Sequence, residues 1–298
     1  MSTRTETEAG IDVKAVAAIT VTLVLWASAF VGIRFAGAHF EPGSLALGRL
    51  LVGALALGAI AAVKRMPLPP RKAWPGIAGA GVFWFGLYMV ALNWGEHYTD
   101  AGTASLLVGI GPVFAAILAG IVLKEGLPRP LVIGLVVAFT GAAIVGLSSQ
   151  HGSSSVLGVV LCLLAAAGYA VGVVSQKPAL SHATALQATT FGCVVGAVAC
   201  LPFSGQLIDD VATAPASATW SVVYLGLLPT ALAFYTWAYA LSRTPAGKLG
   251  VTTYVVPVIV IALSWLFLDE VPTLLAILGG ALCLAGVGVS RTKKRRTQ

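Results

Sequence analysis

Trp26, Ser28, Tyr88, Asn93, Tyr169, Thr230, Tyr235, Thr253 and Tyr254 are hydroxyl, amide and aromatic side chains set inside long apolar runs. A polar group facing lipid without a partner is costly, so such residues turn inward, to line a cavity or to bond a neighbouring helix. The chemistry they offer is hydrogen bonding and ring stacking, which can hold a small molecule without transforming it. Trp26, Tyr169, Thr230, Thr253 and Tyr254 lie deepest or echo across the chain's two halves. Groups that would transform a substrate are missing from the pattern. His39, His97, His151 and His182 have no ligand spacing, and Cys162, Cys193, Cys200 and Cys283 fall in apolar runs without Cys-x-x-Cys. No Ser–His pairing or acid cluster gathers at one depth. The residues predict a protein that is not an enzyme and holds no metal or other cofactor.

Pro112, Pro229 and Pro257 stand near the middle of their apolar runs. Each removes a backbone donor and crowds the carbonyl four residues earlier, so those of Val108, Leu225 and Thr253 should be freed or bent. Gly109 and Gly111 loosen the first of these further. The prolines read as hinges or as places where backbone faces a cavity, against the plainer role of a packing kink. Glu96, Glu125, Asp269 and Glu270 all fall at the ends of runs. Proton-coupled cation pumps need a buried carboxylate, so its absence argues against that mechanism. Glu125 and Glu270 are candidates for helix caps or gate contacts, with Arg34 and Arg49 beside them. Arg49 either snorkels outward near Arg34 or neutralises a substrate carboxylate near the outer vestibule.

The elements that position these residues follow from composition. The chain is 58% hydrophobic and 10% charged, against about a quarter charged in soluble domains. Its mean hydropathy is +0.92. The runs are continuous, without the alternation of barrel strands, and a helix needs roughly 20 apolar residues to cross a bilayer. An all-α polytopic membrane protein is expected, with ten transmembrane helices near 15–36, 43–63, 74–94, 99–123, 130–147, 155–176, 184–203, 217–241, 246–268 and 273–290. The basic tail Arg291–Arg296, directly after the last run, suits a cytoplasmic anchor on anionic lipid better than nucleic acid, which is not an expected partner.

Residues 99–144 return at 244–289, displaced by 145 positions. Thr99-x-Ala101-Gly102 matches Thr244-x-Ala246-Gly247, and Pro112, Glu125, Gly134 and Gly141 match Pro257, Glu270, Gly279 and Gly286. The start of each half echoes at 143 positions, with Trp26-Ala27 and Arg34 answered by Tyr169-Ala170 and Lys177. Two five-helix repeats are expected, over 15–147 and 155–290, with cytoplasmic tails at 1–14 and 291–298. Lys and Arg gather in alternate loops, which places both termini inside. Five crossings are an odd number, so the copies must be inverted, and Arg34 and Lys177 should face opposite sides. Gly192-x-x-x-Gly196 and the Gly134/Gly141 and Gly279/Gly286 pairs read as scaffold or dimer packing surfaces.

Leu25-Trp26-Ala27-Ser28-Ala29-Phe30 with Arg34, Pro42 and Arg49, followed by the duplicated Thr99…Pro112…Lys124-Glu125…Gly134…Gly141 pattern, resembles the EamA-type transporters of the drug/metabolite transporter superfamily. The resemblance runs over roughly 15–290. It implies ten helices in the inner membrane, cytoplasmic termini, and a substrate cavity between the halves. It also implies export of amino acids and other small metabolites, and puts Trp26, Pro112, Glu125, Pro257 and Glu270 on family positions. Tyr169 stands where tryptophan is more usual. The expected function is an inner-membrane secondary transporter exporting a small neutral or zwitterionic metabolite, such as an amino acid, by alternating access. Its expected partners are a small-molecule substrate, the lipid bilayer and a second copy of the chain. The alternative is a channel-like or scaffold membrane protein, although nothing resembles a selectivity filter or charged ring.

Overall fold

The computed structural model describes residues 13–122, 129–148, 155–244, 249–250 and 252–290, and among them there are helices and turns but no strand. Helix α1 covers Val13–Gly37 and α2 covers Pro42–Val63, started by Pro42 after extended Glu41. Helix α3 runs over Arg71–His97. Two pieces follow, α4 (Ala101–Val108) and α5 (Gly111–Val122), and then α6 (Arg129–Ser148). Asp100 caps α4, its carboxylate accepting from the Thr103 amide at 2.8 Å. The second half repeats this order with α7 (Val156–Ala179) and α8 (Ala185–Ala199). Then come α10 (Ala216–Arg243), α11 (Val256–Leu268) and α12 (Leu274–Ser290). Between α8 and α10 lies α9 (Ser204–Thr213), which belongs to a segment bent by 56° from α8. This helix falls between the expected spans 184–203 and 217–241. Among the described residues, five helices are long and apolar enough to cross a membrane, six if the bent pair counts as one span.

The helix pairs interchange when the two halves are exchanged. α1 packs on α10 and α11, as α7 packs on α3 and on the α4–α5 pair; α2 lies against α8, and α6 against α12. The glycines read as packing surfaces do pack within the chain. A Cβ at Gly141 would stand 2.4 Å from the Gly279 carbonyl oxygen.

Polar contacts set the directions. Thr22 on α1 bonds the Ala233 carbonyl at 3.2 Å and the Thr236 hydroxyl at 2.7 Å, while Ser28 bonds the Tyr224 hydroxyl at 2.6 Å. The numbers fall on α10 as they rise on α1, so these helices are antiparallel. Arg34 therefore sits where α10 begins. Lys177 donates to the carbonyls of Leu241 and Thr244, at the other end of α10. Arg34 in turn donates to the Glu96 carbonyl at 2.6 Å. Glu96 and Leu241 are themselves 145 positions apart. The same cation-to-carbonyl contact thus caps the bundle at both ends, as inverted copies require.

Pro112 and Pro257 stand at helix restarts and not in the middle of unbroken spans. The α4 helix ends at Val108 and α5 restarts at Gly111, with Pro112 second. Equivalently, a 3₁₀ turn at Thr253–Val255 precedes α11, which restarts at Val256 with Pro257 second. Proline suits the first turn of a helix, where its missing N–H is not required. Pro229 falls instead in a π-helical stretch of α10, Gly226–Leu232. A matching π stretch, Gly81–Tyr88, lies 145 positions earlier in α3 and contains no proline. Each stretch opens on a closely packed glycine. A Cβ at Gly226 would meet Val52 Cβ at 2.5 Å and the Arg49 carbonyl at 2.8 Å, and one at Gly81 would meet Val195 Cβ at 2.6 Å.

Candidate substrate cavity

The two halves enclose a cavity of about 60 Å³. Trp26 from α1 and Tyr169 from α7 face it, as do Val108 and Thr253, and Pro112 and Pro257. Each of these is a pair related by the duplication. Both proline-bearing segments break where they reach the wall, beside Gly109.

Other walls are one-sided. Arg49, Trp84, Tyr88 and Phe234 line the cavity, with Ser105 and Leu92. The rings form a continuous edge-to-face cluster: Trp26–Phe234 centroids are 5.4 Å apart, Trp84–Tyr169 5.3 Å, and Trp26–Trp84 6.0 Å. Trp237 backs them, 4.9 Å from Trp26. Among the described residues, the buried indole N–H of Trp26 has no acceptor.

The remaining sequence candidates lie elsewhere. Ser28 joins α1 to α10 through Tyr224. Asn93 is buried and donates to the Pro42 carbonyl at 3.0 Å, tying α3 to the start of α2. Tyr235 is half-buried outside the lining, and Tyr254 packs against the main apolar core. Thr230 is fully buried behind the wall, where it receives the Arg49 Nε–H at 3.0 Å. Arg49 does not snorkel: its side chain stays buried and faces the cavity.

A second, wider cavity of about 270 Å³ opens at the end marked by Arg34, lined by Arg34, His97, Thr99, Asp100, Asp269, Glu270 and Val271. There the Glu270 carboxylate pairs with Arg34 and also accepts from the Ala101 amide at 3.3 Å, capping α4. Glu125, its equivalent, lies outside the described residues. Glu96 departs from its sequence reading. Although it stands one residue from the end of α3, it is 1% exposed, and neither carboxylate oxygen has a hydrogen-bond partner among the described residues. The argument against proton exchange from missing buried acids therefore does not hold for this residue.

Sequence reasoning missed Trp84 and Phe234, which carry much of the wall. The residues around Trp84 on α3 are apolar on every side, so no periodic pattern separates wall from lipid face there, whereas Phe234 is a plain apolar side chain beside the more polar Tyr235 and Thr236.

These features define a multi-pass helical membrane protein built from a duplicated unit around one shared cavity. The chain belongs to the EamA-like transporter family, whose domain matches residues 13–147 and again 156–292. It is 38% identical over 96% of its length, and 96% of the relative's, to a probable terminal-alkyne amino-acid exporter of Streptantibioticus cattleyicolor. It is 35% identical to an uncharacterized transporter of Bacillus subtilis, over 88% of this chain and 86% of that one. A probable amino-acid metabolite efflux pump of Escherichia coli is 26% identical over 69% of this chain and 71% of its own. One crystal structure shares the fold with a TM-score of 0.63 at 20% identity, over 93% of this chain and 97% of the other. The chain is thus a transporter of the drug/metabolite type.

Proposed function

We propose that this protein is a secondary carrier of the plasma (inner) membrane that exports a small neutral or zwitterionic metabolite, such as an amino acid, by alternating access. The observation that carries the reading is the paired lining of one cavity by both halves: Trp26 with Tyr169 and Pro112 with Pro257. Two relatives bear names of amino-acid or metabolite exporters, which supports the substrate class. Ten crossings, from repeats at 15–147 and 155–290, would leave both tails in the cytoplasm, as the distribution of Lys and Arg favours.

A cavity of about 60 Å³ is smaller than the ~150 Å³ that holds a benzene-sized ligand. Substrate entry therefore requires the halves to move. The broken segments at Pro112 and Pro257, and the π stretch at Pro229, serve as hinges. The Arg34–Glu270 junction is the gate contact at one end, and Glu125 serves the other. The work is transport and not catalysis.

The test is counterflow in proteoliposomes loaded with L-leucine or L-propargylglycine. Saturable uptake of labelled compound driven by its unlabelled form on the other side supports the carrier. Non-saturating flux or conductance would instead indicate a channel, and no flux of any compound a scaffold.

A further inference from the structure

Exchange of the halves relates Arg49 to Gly192, 143 positions on, and Phe85 to Thr230, 145 positions on. At one contact, Arg49 Nε donates to Thr230 Oγ1 at 3.0 Å. At its counterpart, Gly192 lies beneath the Phe85 ring, whose Cε2 is 2.9 Å from where a Cβ would stand. The same junction between equivalent helices is therefore a cation with a hydroxyl in one half, and bare backbone with an aromatic ring in the other. Arg49 faces the cavity, whereas neither Gly192 nor Phe85 does. The cavity is charged on one side only.

Arg49 lies seven residues into α2, about 10 Å along its axis. It is 3% exposed. Among the described residues no carboxylate pairs with it, and its terminal amino groups have no acceptor. A cation buried at such depth without an ion pair is costly, and an anion bound in the cavity would lower that cost. The bond to Thr230 uses Nε and fixes the guanidinium plane. That leaves the two terminal amino groups as a parallel pair of donors, which matches the two oxygens of a carboxylate. The rest of the lining offers the rings of Trp26, Trp84, Tyr169 and Phe234.

We propose that Arg49, oriented by Thr230, is the carboxylate subsite of the cavity, and that substrate binds in one orientation, its anionic head at Arg49 on α2 and its apolar body among Trp26, Trp84, Tyr169 and Phe234. The proposal rests on the carrier reading above and narrows its substrate to molecules bearing a carboxylate and an apolar body. Amides of the same molecules, and the amines left when the carboxylate is removed, are rejected.

Purified protein is titrated with L-leucine and L-propargylglycine, each beside its carboxamide, with binding read by tryptophan fluorescence, since Trp26 and Trp84 line the cavity. Each acid is expected to bind at least about tenfold tighter than its amide. In Arg49→Gln the ratio falls to about one, whereas Arg49→Lys keeps a preference for the acid, as retained charge requires. Thr230→Val, which leaves the charge but frees the guanidinium, narrows the ratio. Equal affinity for acid and amide in the unaltered protein overturns the subsite and leaves the carrier standing. No response to any of the four compounds, together with no counterflow, overturns both readings. The acid–amide comparison needs no variant, so it decides the question even if Arg49→Gln does not fold.

Discussion

Arg34 and Glu270, 236 residues apart in the chain, meet through a single carboxylate oxygen, Oε1, at 2.9 Å from Nε and 2.5 Å from the terminal nitrogen. The pair joins the end of α1 to the segment after α11, and the other Glu270 oxygen reaches the first amide of α4. One contact thus holds three elements from both halves at one end of the bundle. Its side chains are 32% and 20% exposed, so the attraction is partly screened.

Neutralising either partner is expected to loosen that end. Arg34→Gln and Glu270→Gln should each lower the melting temperature of the purified protein. A double-mutant cycle should return a coupling of about 1 kcal/mol that shrinks in high salt. Additive losses would show that the pair contributes nothing as a pair.

Glycine at the two π stretches is required by space. Gly226→Ala places a methyl group 2.5 Å from Val52 Cβ and 2.8 Å from a backbone oxygen, neither of which can swing aside. Overpacking of this kind costs roughly 1–3 kcal/mol. Gly58→Ala, where nothing lies within 4 Å, is expected to leave stability unchanged or slightly raised. Thermal denaturation of the two variants side by side checks the contrast.

Trp84 is almost fully buried at the centre of the aromatic cluster, in contact with Trp26, Tyr169 and Phe234. Trp84→Ala should destabilise by about 3–5 kcal/mol. Trp220, 70% exposed on the outer face, should tolerate alanine in detergent with little loss. Similar losses in both would contradict the placement of Trp84.

Cys162, Cys193, Cys200 and Cys283 are all buried and outside any disulfide among the described residues. Since thiol reactivity needs access, maleimide labelling of the folded protein should be slow at all four and become complete on denaturation. Rapid labelling of any one in the folded state would place that helix wrongly.

The duplication was readable because proline, glycine and charged residues mark positions that apolar composition cannot imitate. The match of Pro112 with Pro257 led directly to two segments that restart at equivalent residues and face one cavity. Arg34 and Lys177, matched more weakly, do cap opposite ends. Ser28 and Asn93 show where such reading fails. A polar side chain in an apolar run must find a partner, and both found it in a neighbouring helix. Glu96 failed for a related reason: a helix end is not a surface when α1 and α7 close over it.

Length, composition and the repeat were enough to establish a helical membrane protein in two related halves. In lipid the backbone must satisfy its own hydrogen bonds, so crossing segments announce themselves locally. The choice among their many apolar and aromatic residues was made by packing. Trp84, Phe234 and Arg49 belong to the cavity because helices distant in sequence converge there, and the uniformly apolar run around Trp84 carries no periodic signal of which face turns inward.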